Sequence, residues 1–161
     1  MTIHRETLDL PFRPEDLFEL ASDVERYPEF ISWVRSLRVS GRSVEDGRSR
    51  CRAEATVGFK GFHETFVTDV DARREDLAIN VSLVRGPFRK LRNTWQFAPS
   101  ETGSRVDFLI EFEFRNFVLQ AVAERRAQYR SLGIEWNGTA DSAMGRMRER
   151  QALESVGLIS V

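Results

Sequence analysis

One cysteine and two histidines are all that the 161 residues carry of the common soft and imidazole ligands. The single thiol, Cys51, excludes an intrachain disulfide and any metal site built on several cysteines. It stands in an alternating run with Ala53, Ala55 and Val57 and reads as a buried strand residue. His4 and His63 are far apart in the chain and fall in strand patterns, so each reads as a strand-surface residue rather than a ligand or general base. No Gly-rich phosphate loop, His-x-x-x-His pair or nucleophile elbow occurs. Long apolar runs are also missing; none approaches the ~20 residues of a membrane-spanning helix. The N-terminal Met1-Thr2-Ile3-His4-Arg5-Glu6 lacks both the apolar core of a signal peptide and the Ser-rich, acid-poor character of a transit segment. The expected location is cytoplasmic, in a bacterium.

An excess of charge of one sign is absent as well. The 24 basic residues face 25 acidic ones, for a formal net charge of −1. That balance exerts no general pull toward DNA or an anionic membrane. Only two of the basic residues, Lys60 and Lys90, are lysines, and so heavy a use of arginine reads as genome composition rather than function. Apolar residues make up 41% and charged ones 30%, which excludes bulk disorder and suits one domain, 1–161, around one core.

What the chain does have is ring surface in an unusual place. Pro14–Ala21 shows a short amphipathic helix pattern, with Leu17, Phe18, Leu20 and Ala21 on its apolar face. Pro28 follows and biases Tyr27 toward extended geometry, so the helix is expected to stop near Asp23. Yet Tyr27, Phe30 and Trp33 recur every third residue beyond it, which predicts a second short turn with three rings on one side.

Strand patterns surround this segment. Thr2–Leu10 reads as a first strand. Ser36–Ser43 and Arg48–Phe59 read as two more, joined at Asp46-Gly47. Phe62–Asp71, Leu77–Leu83, Phe88–Ala98 and Arg105–Phe114 follow, with a turn at 99–104. Their inward faces carry Phe59, Phe62, Phe66, Ile79, Val81, Leu83, Leu91, Asn93, Trp95, Phe97, Val106, Phe108, Ile110, Phe112 and Phe114. Asn116 can cap a helix running to about Ser131, and a last helix is expected over roughly Thr139–Ser155, with Met144 and Met147 on a thin apolar edge. Antiparallel strands with helices at the ends make an α+β fold in which a helix crosses the apolar sheet face.

Phenylalanine occurs 12 times, mostly at inward positions. These rings can fill a core, or a hydrophobic ligand can complete one that a single thin helix leaves under-packed. Two polar residues stand among them. Asn93 suits a polar contact inside a cavity. Glu64 shares a face with Phe62 and Phe66, where a carboxylate can be an acid of raised pKa, or simply an edge residue paired with arginine.

Four stretches together resemble a known family. They are Leu17-Phe18-Glu19-Leu20 with Asp23-Val24, Tyr27-Pro28-Glu29-Phe30 and Trp33; Val57-Gly58-Phe59 with Glu64-Thr65-Phe66-Val67-Thr68; Leu83-Val84-Arg85-Gly86-Pro87-Phe88-Arg89-Lys90-Leu91 with Trp95-Gln96-Phe97; and Val106-x-Phe108 with Phe112-Glu113-Phe114-Arg115-Asn116. The combination, spanning residues 2 to about 119, resembles the coenzyme Q-binding START-like family, related to the ribosome-association toxins and the polyketide cyclase/dehydrase group. The resemblance implies a helix-grip (START-like, Bet v 1-like) fold, in which a seven-stranded antiparallel sheet wraps around a long C-terminal helix and encloses an apolar tunnel. It implies a non-enzymatic carrier of ubiquinone or a related lipid that supports respiratory electron transport, with no required cofactor or metal. Phe30 and Trp33 would then stand at the tunnel mouth, and Gly86-Pro87-Phe88 would form an entrance loop. Phe66, Leu83, Trp95, Phe108, Ile110 and Phe112 would line the tunnel, with Phe59, Asn93, Met144 and Met147 completing the ligand contacts. Asn93, Glu64 and Gln96 are the candidates for a headgroup contact. The segment from Arg126 onward departs from the family pattern, since its last helix offers little large apolar surface.

Two other functions stay open on the same residues. A ribosome-binding regulator would use the cluster Arg35, Arg38, Arg42, Arg48, Arg50 and Arg52, although Glu45, Asp46 and Glu54 interleave it. A cyclase/dehydrase-type enzyme would use Glu64 or His63 as base. A quinone carrier would also touch the inner face of the membrane as a peripheral protein, where Phe30, Ile31, Trp33 and Val34 can dip into the interface.

Overall fold

A computed structural model describes residues 1–29, 34–59 and 61–121, and the side chains of Phe59 and Phe62 fall outside that description. Strand β1 (Thr2–Leu10) leads into helix α1 (Pro14–Ser22) and a 3-10 turn (Val24–Glu29). Six strands follow: β2 (Val34–Glu45), β3 (Arg48–Phe59), β4 (Phe62–Arg73), β5 (Ala78–Arg85), β6 (Phe88–Ser100) and β7 (Gly103–Phe114). They form one antiparallel sheet in the order β1-β7-β6-β5-β4-β3-β2. Every step from β2 to β7 is a hairpin, and β1 returns to pair with β7, from Thr2 opposite Phe112 to Leu10 opposite Ser104.

Local chemistry accounts for these elements. Asp46 and Gly47 both hold positive φ, 49° and 75°, as the two-residue hairpin turn between β2 and β3 requires. Pro14 opens α1 at its first turn, where a missing N–H costs nothing, and Asp23 closes it through its N–H on the Glu19 carbonyl at 3.2 Å. The alternation of β7 is nearly unbroken, with Ser104, Val106, Phe108, Ile110, Phe112 and Phe114 all buried on the concave face. Asn116 caps the next helical turn as expected, its Oδ1 accepting from the Val118 N–H at 2.8 Å. That helix is described only over 117–121. The long C-terminal helix expected from the sequence, with Met144 and Met147, lies outside the described residues, as do Phe30 and Trp33.

The first helix stops at Ser22 and a second short turn follows, as expected, with Pro28 inside it. Two details differ from the sequence reading. Tyr27, expected to lean toward extended geometry, lies within the 3-10 turn; it is buried, donates its hydroxyl to the Ala21 carbonyl at 2.6 Å and packs on Trp95 at 6.2 Å between ring centroids. The turn expected over 99–104 shrinks to Glu101-Thr102, because β6 runs through Pro99 to Ser100. Phe97 donates its N–H to Leu77, on the β5 side, so Pro99 turns its missing N–H to the same side, past the start of the β5 ladder at Ala78 opposite Gln96. A proline there removes no ladder bond.

The link from β1 to α1 is held by close packing onto the start of β7. A Cβ on Gly103 would run into the Leu10 carbonyl oxygen and stand 2.8 Å from the Phe12 nitrogen, at a φ of +149° that side chains rarely adopt. Ser104 donates its hydroxyl to the Phe12 carbonyl beside it. Gly103→Ala is therefore expected to destabilise the fold by about 2 kcal/mol or more, since backbone on both sides must move. Chemical denaturation of the variant checks this; a midpoint within error of the parent would contradict it.

Candidate ligand cavity

The concave face of the sheet does not fill solidly. Between it and the 3-10 turn lies a cavity of about 100 Å³. Its described walls come from every strand except β1. They are Val34 and Leu37 of β2, Ala53, Ala55 and Val57 of β3, Phe66, Thr68 and Val70 of β4, Val81 of β5, Phe88, Leu91, Asn93 and Trp95 of β6, and Phe108, Ile110, Phe112 and Phe114 of β7. Val24 and Tyr27 of the 3-10 turn cover it. The void follows from side-chain size. Rings crowd β6 and β7, where Trp95 meets Phe108 at 4.7 Å and Phe88 stacks on Phe114 at 4.4 Å. The facing positions of β3 hold only Ala53, Ala55 and Val57. Close packing cannot close a gap bounded by methyl groups on one side and rigid rings on the other.

Polar groups in the walls are few. Asn93 is held by two partners, its Oδ1 accepting from Trp95 Nε1 at 2.8 Å and its Nδ2 donating to the Leu109 carbonyl at 2.9 Å. The indole is donor-only and the carbonyl acceptor-only, so both fix the amide in the same orientation. Thr68 is the second polar wall residue and is 4% exposed. Burial pushes the Tyr27 phenol well above its ordinary pKa, which leaves it a neutral donor to the Ala21 carbonyl. A void so lined repels water and offers room to an apolar molecule.

Phe66, Phe88, Asn93, Trp95, Phe108, Ile110 and Phe112 thus stand together in the cavity wall. Phe88, expected in an entrance loop, is instead the buried first residue of β6, wedged against Phe66 at 5.0 Å. Gly86 packs so tightly on Phe66 that an added Cβ would stand 2.5 Å from its Cβ. Leu83 is only half-buried and is not among the described wall residues, although its partner Thr68 on β4 is. Phe59 lies in β3, its side chain outside the description. Glu64 is half-buried on the inward face but not in the cavity wall, and Gln96 turns outward, donating to the Asp76 carbonyl at 2.7 Å. His63 is exposed.

His4 contradicts its surface reading. It lies on the concave side of β1 with Glu6, its Nε2 3.5 Å from Glu6 Oε2, and its ring meets Phe108 edge-on at 6.2 Å. Neither of those two atoms has a hydrogen-bond partner among the described residues. The pair sits behind Phe108, outside the cavity walls. Sequence reasoning missed it because β1 carries too few apolar residues to reveal which face is covered. The small wall residues Ala53, Ala55 and Thr68 were missed for a related reason: attention to rings hides the positions where their absence makes space.

The outer face is laced with ion pairs. Arg48 grips Asp71 through two hydrogen bonds of 2.8 and 2.7 Å, Arg52 meets Asp69 at 3.1 Å, and Glu111 lies 3.5 Å from both Lys90 and Arg92. The Arg48 guanidinium holds the Asp71 carboxyl below its ordinary value of 3.8. A depressed carboxylate stabilises the fold above its unfolded pKa and loses that contribution as pH falls through the folded one. Asp71→Asn is therefore expected to lower the melting temperature at pH 7, with the difference from the parent closing below about pH 3.8. Melting curves across pH 7 to 3 test this; a constant difference would contradict it. Burial raises the Cys51 thiol, leaving it a poor nucleophile. Among the described residues no group of three or more His, Cys, Asp or Glu side chains could hold a metal ion. No helix among them is long and apolar enough to cross a membrane.

The family described as polyketide cyclase / dehydrase and lipid transport matches residues 10–130. The chain belongs to that family. Within it, the chain is similar to a ribosome association toxin, RatA, of Rickettsia prowazekii, with 30% identity over 122 residues, 74% of this chain and 81% of the relative. It is also similar to the mitochondrial coenzyme Q-binding protein coq10 of Schizosaccharomyces pombe, with 31% identity over 113 residues, 69% of this chain and 68% of the relative. Among solved structures, the 18 kDa protein CC1736 from Caulobacter crescentus has a TM-score of 0.68 at 35% identity, covering 98% of this chain and 99% of that one. This family member has the START-like helix-grip fold expected from its sequence, with the seven-stranded antiparallel sheet in place.

Proposed function

We propose that the protein is a non-enzymatic carrier that holds ubiquinone or a related prenylated quinone in the cavity beneath Tyr27 and beside Trp95. The observation that carries this reading is the cavity itself, about 100 Å³ of space whose walls are apolar apart from Asn93 and Thr68. Each Å² of isoprenoid surface moved there from water contributes about 25 cal/mol. The small cavity suits the ring and first isoprene units, and the rest of the tail extends past the described walls. No acid–base pair stands among the described wall residues, which supports binding over catalysis. Collecting such a lipid requires transient contact with a membrane, and no further cofactor.

The ribosome reading rests on the RatA relatives, which are 30% to 35% identical to this chain, against 31% for coq10. Within the arginine cluster, Arg42, Arg48 and Arg52 each face a carboxylate within 3.1 Å, which takes up part of the charge an RNA would need and favours the lipid reading.

The test is organic-solvent extraction of the full-length protein purified without detergent, followed by mass spectrometry and by titration with short-chain ubiquinone. Co-purified quinone, or saturable binding at one site, is expected. No extracted lipid and no binding of added quinone would overturn the proposal, and co-sedimentation with ribosomal subunits at moderate salt would then favour the regulator.

A further inference from the structure

The two polar wall residues are placed to read a ligand, and they differ from every other group in the cavity. Asn93 has spent its Oδ1 on Trp95 and one Nδ2 hydrogen on the Leu109 carbonyl. Its second Nδ2 hydrogen is unused by those bonds. Thr68 is buried at 4% exposure, yet its hydroxyl makes no hydrogen bond among the described residues. A hydroxyl standing in an apolar wall gains from a ligand that accepts its hydrogen.

Their placement separates them. Thr68 pairs with Leu83 across β4 and β5, whereas Asn93 pairs with Val81 across β5 and β6. They therefore flank β5 on one face, roughly 10 Å apart across the sheet by the spacing of neighbouring strands. The Leu109 carbonyl also draws the Asn93 amide toward β7, away from Thr68. One acceptor atom does not serve both donors. Two acceptors on opposite edges of one ring do.

Charge completes the argument. No Asp, Glu, Lys, Arg or His stands in the described walls. His4, Glu6 and Glu64 lie on the same face but outside the described walls, His4 with its ring against Phe108. A carboxylate or phosphate brought into such walls would lose its hydration without gaining a counter-ion.

We infer that Thr68 Oγ1 and the free Nδ2 hydrogen of Asn93 select a neutral ring with two acceptor oxygens on opposite edges, and that the cavity rejects fatty acids and phospholipid headgroups. This rests on the cavity being the ligand site, and it goes beyond that reading by assigning the selection to two residues and a ligand charge.

The test uses the full chain and three probes of similar size: a short-chain prenylated benzoquinone, an alkylbenzene without oxygen, and decanoate. Intrinsic tryptophan fluorescence from Trp95 and calorimetry report binding. The quinone is expected to bind tightest and decanoate not at all. Thr68→Val, which keeps the shape and removes the hydroxyl, is expected to weaken the quinone about fivefold, the loss of one ordinary hydrogen bond, with the alkylbenzene unchanged. Thr68→Ser is expected to retain quinone affinity. Equal weakening of quinone and alkylbenzene by Thr68→Val would overturn the inference, because it would mark a packing role. So would decanoate binding as tightly as the quinone. Binding of the alkylbenzene as tight as the quinone overturns the inference while leaving the cavity as the site; failure of all three probes overturns both.

Discussion

Ala55→Phe is expected to abolish quinone binding while leaving the sheet folded. Ala55 lies on the floor of the cavity, opposite Leu37 on β2 and Phe66 on β4, and is 5% exposed. A benzyl group at that position points into the void and takes the space the ring of a ligand needs. Loss of at least about a hundredfold in affinity follows, equivalent to ~2.7 kcal/mol. Stability is expected to move little, because the ring gains contacts where the parent has none. Filling a void returns part of the cavity cost, and any strain from an imperfect rotamer offsets it by about 1–3 kcal/mol. Calorimetric titration with a short-chain quinone and a thermal melt read the two effects separately. A variant that folds and binds as the parent does would place the ligand elsewhere. Ala53→Phe, one inward position away, provides a second variant should the first fail to fold.

Trp95→Ala is expected to cost the most stability of any single core substitution. Trp95 is 1% exposed and packs on Tyr27, Phe97 and Phe108, at 6.2, 6.1 and 4.7 Å between ring centroids. Its removal leaves a large hole next to an existing one and strips Asn93 Oδ1 of its donor. Core Trp-to-Ala changes cost about 3–5 kcal/mol. Leaving a buried amide oxygen unpaired adds about 1–3 kcal/mol. That total is a large share of the ~5–15 kcal/mol that holds a typical domain together. Trp95→Phe separates the two contributions, since it keeps a ring and loses the N–H. Urea denaturation should rank the parent above Trp95→Phe, and Trp95→Phe above Trp95→Ala. Equal midpoints for the two variants would assign the whole effect to the hydrogen bond.

Much of the architecture was legible from local chemistry. The bounds of β1 and β3 follow from alternation alone, and Asp46-Gly47 and Asn116 act in the structure as their side chains dictate. The reading failed where an element's surroundings outweigh its own pattern. Pro99 looks like a strand terminator, yet it lies within β6, because the neighbouring ladder that its missing N–H would harm does not extend that far. Tyr27, preceding Pro28, looks biased toward extended geometry, yet it lies in the 3-10 turn, buried against Trp95 with the Ala21 carbonyl to satisfy its hydroxyl. His4 looks like surface, yet it faces the sheet interior beside Phe108.

The candidate site shows the same division. The inward faces of β6 and β7 are readable because period-two alternation is a property of the strand itself. Which inward residues enclose space, and which pack solidly, depends on what stands across from them. Leu83 and Phe108 both fall on the inward face, but only Phe108 borders the void, where it meets Trp95 at 4.7 Å.

By itself, then, the sequence determined the strands, their inward faces and the antiparallel α+β class, which follow from local periodicity and turn chemistry, and four of its stretches carried the resemblance to the family. The broken helix with its aromatic spacing was visible too, as a cover for something apolar. Only the tertiary structure decided that a cavity exists, that small residues on β3 open it, and that Asn93 and Thr68 are its polar points. A void is a relation between side chains distant in sequence, set by register and size across several strands, and no local pattern encodes it.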